Sequence, residues 1–248
     1  MSTALEDNIM QVFELYIRRL LKRRVLLIML LLLPLLASFL LVQILKPSYD
    51  LEYAVILNSI IGVLICITIS NTMLFYSDRQ YATDKRILLG VHSKLSFNCQ
   101  VVAVFLAVSI IQLSVVILFS NLVLGIQLPL TVIEYSIVLL AYTLLNIITV
   151  GIGLIAVNST RSKNSSWVLL IMIALVFAVL GGLLLPSDQL PIIVRDVVAI
   201  LPTYWVTKVV GILLNGIGEH LYALANYLIG LTVCAAIIML LLIRTKPE

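Results

Sequence analysis

Six apolar runs of membrane length dominate this chain, at residues 25–45, 53–76, 100–126, 133–157, 166–185 and 221–243. The hydrocarbon core of a bilayer is about 30 Å thick, which a helix crosses in about 20 residues. Within that core every backbone N–H and C=O needs a partner inside the protein, and a helix supplies its own. Runs this long predict membrane-spanning helices rather than barrel strands. Of the 248 residues, 62% are hydrophobic and 11% charged, too little polar surface for a soluble domain of this size. The fold class expected is therefore all-α, a polytopic membrane protein with six transmembrane helices. Residues 1–24 precede the first span, and residues 25–248 form the transmembrane domain.

Charge placement orients the chain. With both termini in the cytoplasm, Arg18, Arg19, Lys22, Arg23, Arg24, Arg79, Lys85, Arg86, Lys94, Arg161, Lys163, Arg244 and Lys246 face inward. Lys46, Arg195 and Lys208 face outward. This split of thirteen against three obeys the positive-inside bias and requires an even number of spans. Because the cations sit beside spans, nucleic acid is a poor partner for them, and the lipid membrane a good one. The sequons at Asn158 and Asn164 then face the cytoplasm, where glycosylation is not expected. The N-terminus does not read as a cleavable signal peptide, since the first run is long enough to span and no A-x-A site follows. Cys66, Cys99 and Cys234 are far apart, without metal-ligand or disulfide spacing.

Ahead of the first span, Ile9, Val12, Phe13, Tyr16, Ile17 and Leu20 recur at three- and four-residue spacing. Glu6, Asp7, Gln11, Glu14, Arg18 and Lys22 fill the opposite face. The pattern predicts an amphipathic helix lying in the membrane interface, its basic end near anionic headgroups. Phe13, Tyr16, Ile17, Arg18 and Arg19 are its candidate functional residues, either as a plain anchor or as contacts to a partner.

Between the second and third spans lies the stretch 75–97, FYSDRQYATDKRILLGVHSKLSF. It is the longest charged interruption between apolar runs, with Asp78, Arg79, Asp84, Lys85, Arg86 and Lys94. Asp78 or Thr83 can cap a short helix, and Asp84 ahead of Lys85 and Arg86 suits the helix dipole. Leu88 and Leu89, with Ile87 and Val91, add an apolar ridge that either lies on lipid or docks in a groove of another protein.

Chemistry is sparse. No GxxxxGK[ST], HExxH or paired-carboxylate pattern occurs, so nucleotide binding and hydrolysis are not expected of this chain. No Asp, Glu, Lys, Arg or His sits mid-span, which weakens an ion-coupled carrier. Gly151-x-Gly153 reads as helix packing through small residues. The polar span residues Asn58, Asn71, Gln112, Tyr142, Asn146 and Asn226 serve either interhelical hydrogen bonds or, for Asn58, Asn71, Gln112, Tyr142 and Asn146 as candidates, a pathway lining. After the fifth span, residues 186–220 hold two apolar segments too short to cross: one through Leu190, Ile193, Val197 and Leu201, and a second over 206–214, with Pro202 breaking between them. Such half-helices predict a re-entrant pair dipping in from outside, with Pro186, Pro191, Pro202, Tyr204 and Trp205 as its marked residues.

Taken together these features resemble the permease subunits of type-2 ABC exporters. Ser77-Asp78-Arg79-Gln80-Tyr81-Ala82-Thr83 and Leu88-Leu89 correspond to the family's E-R-x-x-G-T and paired leucines. Asp78 replaces the Glu, Ala82 the Gly and Val91 a following Pro. Gly181-Gly182, Pro186, Leu190-Pro191 and Leu201-Pro202-Thr203-Tyr204 match its outer pattern more closely. The resemblance covers almost the whole chain, mainly as architecture. It implies six spans, an N-terminal interfacial helix, a coupling segment at 77–97 and a re-entrant helical pair between helices five and six. It further implies a non-catalytic subunit of the bacterial plasma membrane that pairs with a second permease, identical or related. Cytoplasmic ATPase subunits would dock on Asp78, Arg79, Thr83, Asp84, Lys85, Arg86, Leu88 and Leu89. No cofactor is expected in this chain, ATP and Mg residing in the partner ATPase. The cargo implied is a drug, antimicrobial peptide or lipid-like molecule. The alternative is a non-transporting scaffold or immunity protein that sequesters a ligand or partner.

Overall fold

The computed structural model describes residues 11–22, 94–125, 130–160, 162–181, 196–216 and 218–244, with isolated positions between 24 and 40. The expected second span, most of the expected first and the expected coupling residues lie outside the described residues. Described positions 28, 32, 35, 36, 39 and 40 of the expected first span are all helical.

Among the described residues the chain is all-helical, without a strand. The elements are α1 (Gln11–Lys22), α2 (Lys94–Leu122), α3 (Val132–Ser159), α4 (Lys163–Leu180), α5 (Pro202–Asn215), a 3-10 turn (Gly218–His220) and α6 (Leu221–Arg244). Among the described residues three helices are long and apolar enough to cross a membrane: Ser96–Leu122, Val132–Ser159 and Leu221–Leu242, of 27, 28 and 22 residues. At about 1.5 Å per residue they reach roughly 40, 42 and 33 Å. The apolar part of α4, Asn164–Leu180, has 17 residues. That is roughly 25 Å, short of the hydrocarbon core.

Local chemistry sets the boundaries. α3 begins with a capping box: Thr131 N–H donates to Glu134 Oε2 at 2.6 Å, and Glu134 N–H donates to Thr131 Oγ1 at 3.4 Å. Two of the orphan N–H groups at the helix start are thereby satisfied. Ser162 caps α4 by accepting from Ser165 N–H at 3.1 Å. The interval left between the runs at 133–157 and 166–185 is therefore shorter, because Asn158 and Ser159 finish α3 and Lys163 begins α4. Likewise α2 starts at Lys94, six residues before the apolar run, so the last residues of the stretch 75–97 are already helical. Pro202, expected as a breaker, is the first residue of α5. The first N–H of a helix has no internal partner, and a fixed φ suits that position, so proline starts a helix there more readily than it stops one.

α3 is the central element, packing on α6, α2, α5 and α4. Val101, Val104 and Phe105 of α2, Ala141, Leu145, Ile148 and Leu154 of α3, Val206, Val209 and Val210 of α5, and Leu231, Ala235 and Leu242 of α6 share one core. At Gly151 α3 lies close against α6. A Cβ there would fall under 3.0 Å from Ile238 Cγ2, with Leu242 Cδ1 at 3.4 Å. Outward, Ile111 and Leu118 of α2, Val168, Met172 and Leu175 of α4, and Ile229, Val233 and Leu240 of α6 are exposed. Lipid tails are as apolar as these side chains, so such a surface is stable in a bilayer and aggregates in water.

Candidate functional site

Polar side chains gather at three places. The first is the seam between α2 and α3. Ser109 and Gln112, three apart on α2, share a face, as do Tyr142 and Asn146, four apart on α3. All four are at most 2% exposed. Tyr142 Oη donates to the Ser109 carbonyl at 3.3 Å, Asn146 Nδ2 donates to Ser109 Oγ, and Ser109 Oγ donates to the Leu106 carbonyl at 2.9 Å. Buried in an apolar seam, an amide or hydroxyl without a partner costs about 1–3 kcal/mol. Ser109, Tyr142 and Asn146 therefore bind the two helices in one register. Of the five candidate lining residues, Gln112, Tyr142 and Asn146 are brought together here, enclosed between helices. Asn58 and Asn71 lie outside the described residues. Asn226 is exposed on α6.

The second place is the root of α2. Val12, Tyr16 and Leu20 of α1 are buried against it, and Phe13 and Ile17 are packed beside them. Tyr16 meets Phe97 edge-on, with centroids 6.3 Å apart. The apolar face that the sequence pattern turns toward lipid thus packs on protein. The physical reason is that α2 offers a matching apolar face, Phe97, Val101, Val104 and Phe105, plus a polar group for the end of α1. Val12 N–H and Phe13 N–H donate to Gln100 Oε1 at 3.1 and 3.2 Å, while Gln100 Nε2 donates to Ser96 Oγ at 3.1 Å. Two residues away, Asn98 Nδ2 donates to the Leu242 carbonyl at 3.3 Å. Arg19 lies over the Tyr16 ring at 5.7 Å. Arg18 pairs with Glu14 at 2.5 Å on the exposed side, a contact worth little in water.

The third place is the junction of α4 with α5. Gly181 ends α4, its N–H donating to the Phe177 carbonyl at 3.0 Å. Thr203, fully buried, presses its hydroxyl against Gly181, and Thr207 Oγ1 donates to the Gly181 carbonyl at 3.2 Å. Trp205 Nε1 donates to the Ala199 carbonyl at 2.7 Å, tying the start of α5 to the turn before it, and its ring lies against Gly230 of α6. Tyr204 carries Lys208 Nζ 5.4 Å from its ring centroid. Pro202, Tyr204 and Trp205 therefore share one 14-residue helix packed on α6, α3 and α4. Pro186 and Pro191 lie outside the described residues.

Asp78, Arg79, Thr83, Asp84, Lys85, Arg86, Leu88 and Leu89 also lie outside the described residues. Among the described residues no three His, Cys, Asp or Glu side chains converge as a metal site would need. Sequence reasoning missed Ser109, Asn98 and Gln100. The first had a signal in its i, i+3 spacing from Gln112. The other two stand at the border of charged stretch and span, where a polar residue is ordinary. Comparison with protein-family models and with curated proteins finds no match for this chain.

Proposed function

We propose that this chain is the membrane-spanning subunit of an ATP-driven exporter of the type-2 ABC class. It has six spans with both ends in the cytoplasm, works beside a second permease, and sits in a bacterial plasma membrane. Its motor is a separate ATPase that docks on the stretch 77–97. The cargo is a drug, an antimicrobial peptide or a lipid-like molecule, moved by rocking of the helices without chemistry in this chain. One observation carries most of the weight. The charged stretch ends in Lys94, the first residue of α2, and α1 is packed on the root of that same helix. The two segments with sequence marks for partner contact are thus joined at one end of one long helix. The short α5, packed on α6 and α3, supports a helical segment re-entering from the opposite side. Purification of the tagged protein from its native membrane in mild detergent tests the proposal. A stoichiometric P-loop ATPase is expected, and Leu88→Asp with Leu89→Asp should abolish its recovery while the chain still inserts. Recovery of the chain alone, even after cross-linking, would refute it. The enclosure of Gln112, Tyr142 and Asn146 within a helix seam favours the competing role, a non-transporting scaffold or immunity protein, which that second outcome would select.

A further inference from the structure

The first turns of α2 hold both ends of the described chain. The opening N–H groups of a helix have no acceptor within it, and its closing carbonyls have no donor. At α1 the acceptor for Val12 and Phe13 is Gln100 Oε1, from 88 and 87 residues away. At α6 a donor for the Leu242 carbonyl is Asn98 Nδ2, 144 residues away. Each side-chain atom carries the partial charge that the helix end calls for: negative at the start of α1, positive at the end of α6. Residues two apart on a helix point about 200° apart. Asn98 and Gln100 therefore reach to opposite flanks of α2, and α1 and α6 are held on those flanks. Both side chains are buried, and Gln100 is braced by Ser96. Phe97, next to Asn98 in sequence, packs on Tyr16.

From this geometry we infer that the root of α2 is a three-way joint. Asn98 and Gln100 are positioning residues that make α1, α2 and the end of α6 move as one body. A tethered amphipathic helix floating on lipid would not respond to movement of α2. A helix whose first N–H groups are held by α2 itself must follow it. Any displacement of the stretch 77–97, whose last residues belong to α2, is thereby delivered to α1 and to the end of α6 at once. The joint follows from the contacts alone. Its role in carrying an ATPase's stroke rests on the function proposed above.

The test is amide hydrogen exchange on the full chain in lipid nanodiscs, comparing wild type with Gln100→Leu, Gln100→Glu and Asn98→Leu. Gln100→Leu keeps the bulk but removes the acceptor of two N–H groups. Exchange across α1 should rise about ten- to a hundredfold. Gln100→Glu keeps an acceptor for both N–H groups, so α1 should exchange within about threefold of wild type. Asn98→Leu should speed exchange at the end of α6 and leave α1 unchanged. Unaltered α1 exchange in Gln100→Leu, or equal release in Gln100→Leu and Gln100→Glu, would overturn the joint. These measurements need no partner, so they stand whether or not an ATPase accompanies the chain. Where one does, Gln100→Leu should lower substrate-stimulated hydrolysis at least about threefold and Gln100→Glu should restore it. Full stimulation with α1 released would overturn the transmission role and leave the permease proposal intact.

Discussion

Replacing Gly151 by Ala puts one methyl group into the close contact between α3 and α6. Its carbon would lie under 3.0 Å from Ile238 Cγ2, 3.4 Å from Leu242 Cδ1 and 3.6 Å from Ile238 Cβ. Carbon atoms prefer separations of about 3.5–4.0 Å, so the helices must part by at least about 0.5–1 Å. A gap of that size forfeits a quarter to a half of each contact, and each contact is worth about 0.15 kcal/mol. If the seam holds about 40 atom pairs, as one buried leucine does, the loss is about 1.5–3 kcal/mol. Alanine regains up to about 1 kcal/mol over glycine as a helix former. The net cost is about 0.5–2 kcal/mol, or a fall in Tm of about 1–8 °C at 2–4 °C per kcal/mol. Thermal unfolding in detergent, followed by the emission of Trp167 and Trp205, measures it. The decisive comparison is the background of Ile238→Ala, which removes Cγ2. There the added methyl fills vacated space, and Gly151→Ala should be neutral or stabilising. An equal fall in both backgrounds would show that Ile238 is not what the methyl meets. No fall in the wild-type background would refute the close approach itself.

Gly181→Ala should be costlier than Gly151→Ala, by Tm, because its Cβ would meet the backbone carbonyl of Phe177 as well as Thr203, and backbone cannot rotate away. Tyr142→Phe removes the bond to the Ser109 carbonyl and should cost about 0.5–1.5 kcal/mol, visible as a Tm lower by a few degrees with unchanged helix content. Thr131→Ala removes the side-chain cap of α3 and should cost about 0.5–2 kcal/mol, while Thr131→Ser, which keeps the hydroxyl, should recover most of it in the same assay.

Much of the fold was legible because apolar length and helix-end chemistry are local. The runs at 100–126, 133–157 and 221–243 became α2, α3 and α6, each displaced at its ends by caps or by polar residues that a helix tolerates. The run at 166–185 began earlier than its hydropathy suggested because Ser162 caps it. Pro202 was legible as punctuation but not in its sense, since proline both ends one helix and opens another. Gly151 was legible as a packing residue, though nothing in its neighbours named Ile238 as the side chain it admits.

Composition and periodicity alone determined that this chain is helical, that its helices have an apolar exterior, and that α1 has one face to bury. They could do so because helix formation and transfer to hydrocarbon depend on residues a few positions apart. Only the tertiary structure decided which surface takes that face. Val12, Tyr16 and Leu20 suit a lipid interface as well as a protein one, and the choice fell to α2, where Gln100 meets two N–H groups that hydrocarbon cannot satisfy. The same holds for Gln112, Tyr142 and Asn146. Their polarity in the sequence allowed a pathway or a seam, and the packing of α3 on α2 enclosed them in the seam, where Ser109 gives Tyr142 Oη and Asn146 Nδ2 the acceptors that a buried donor needs.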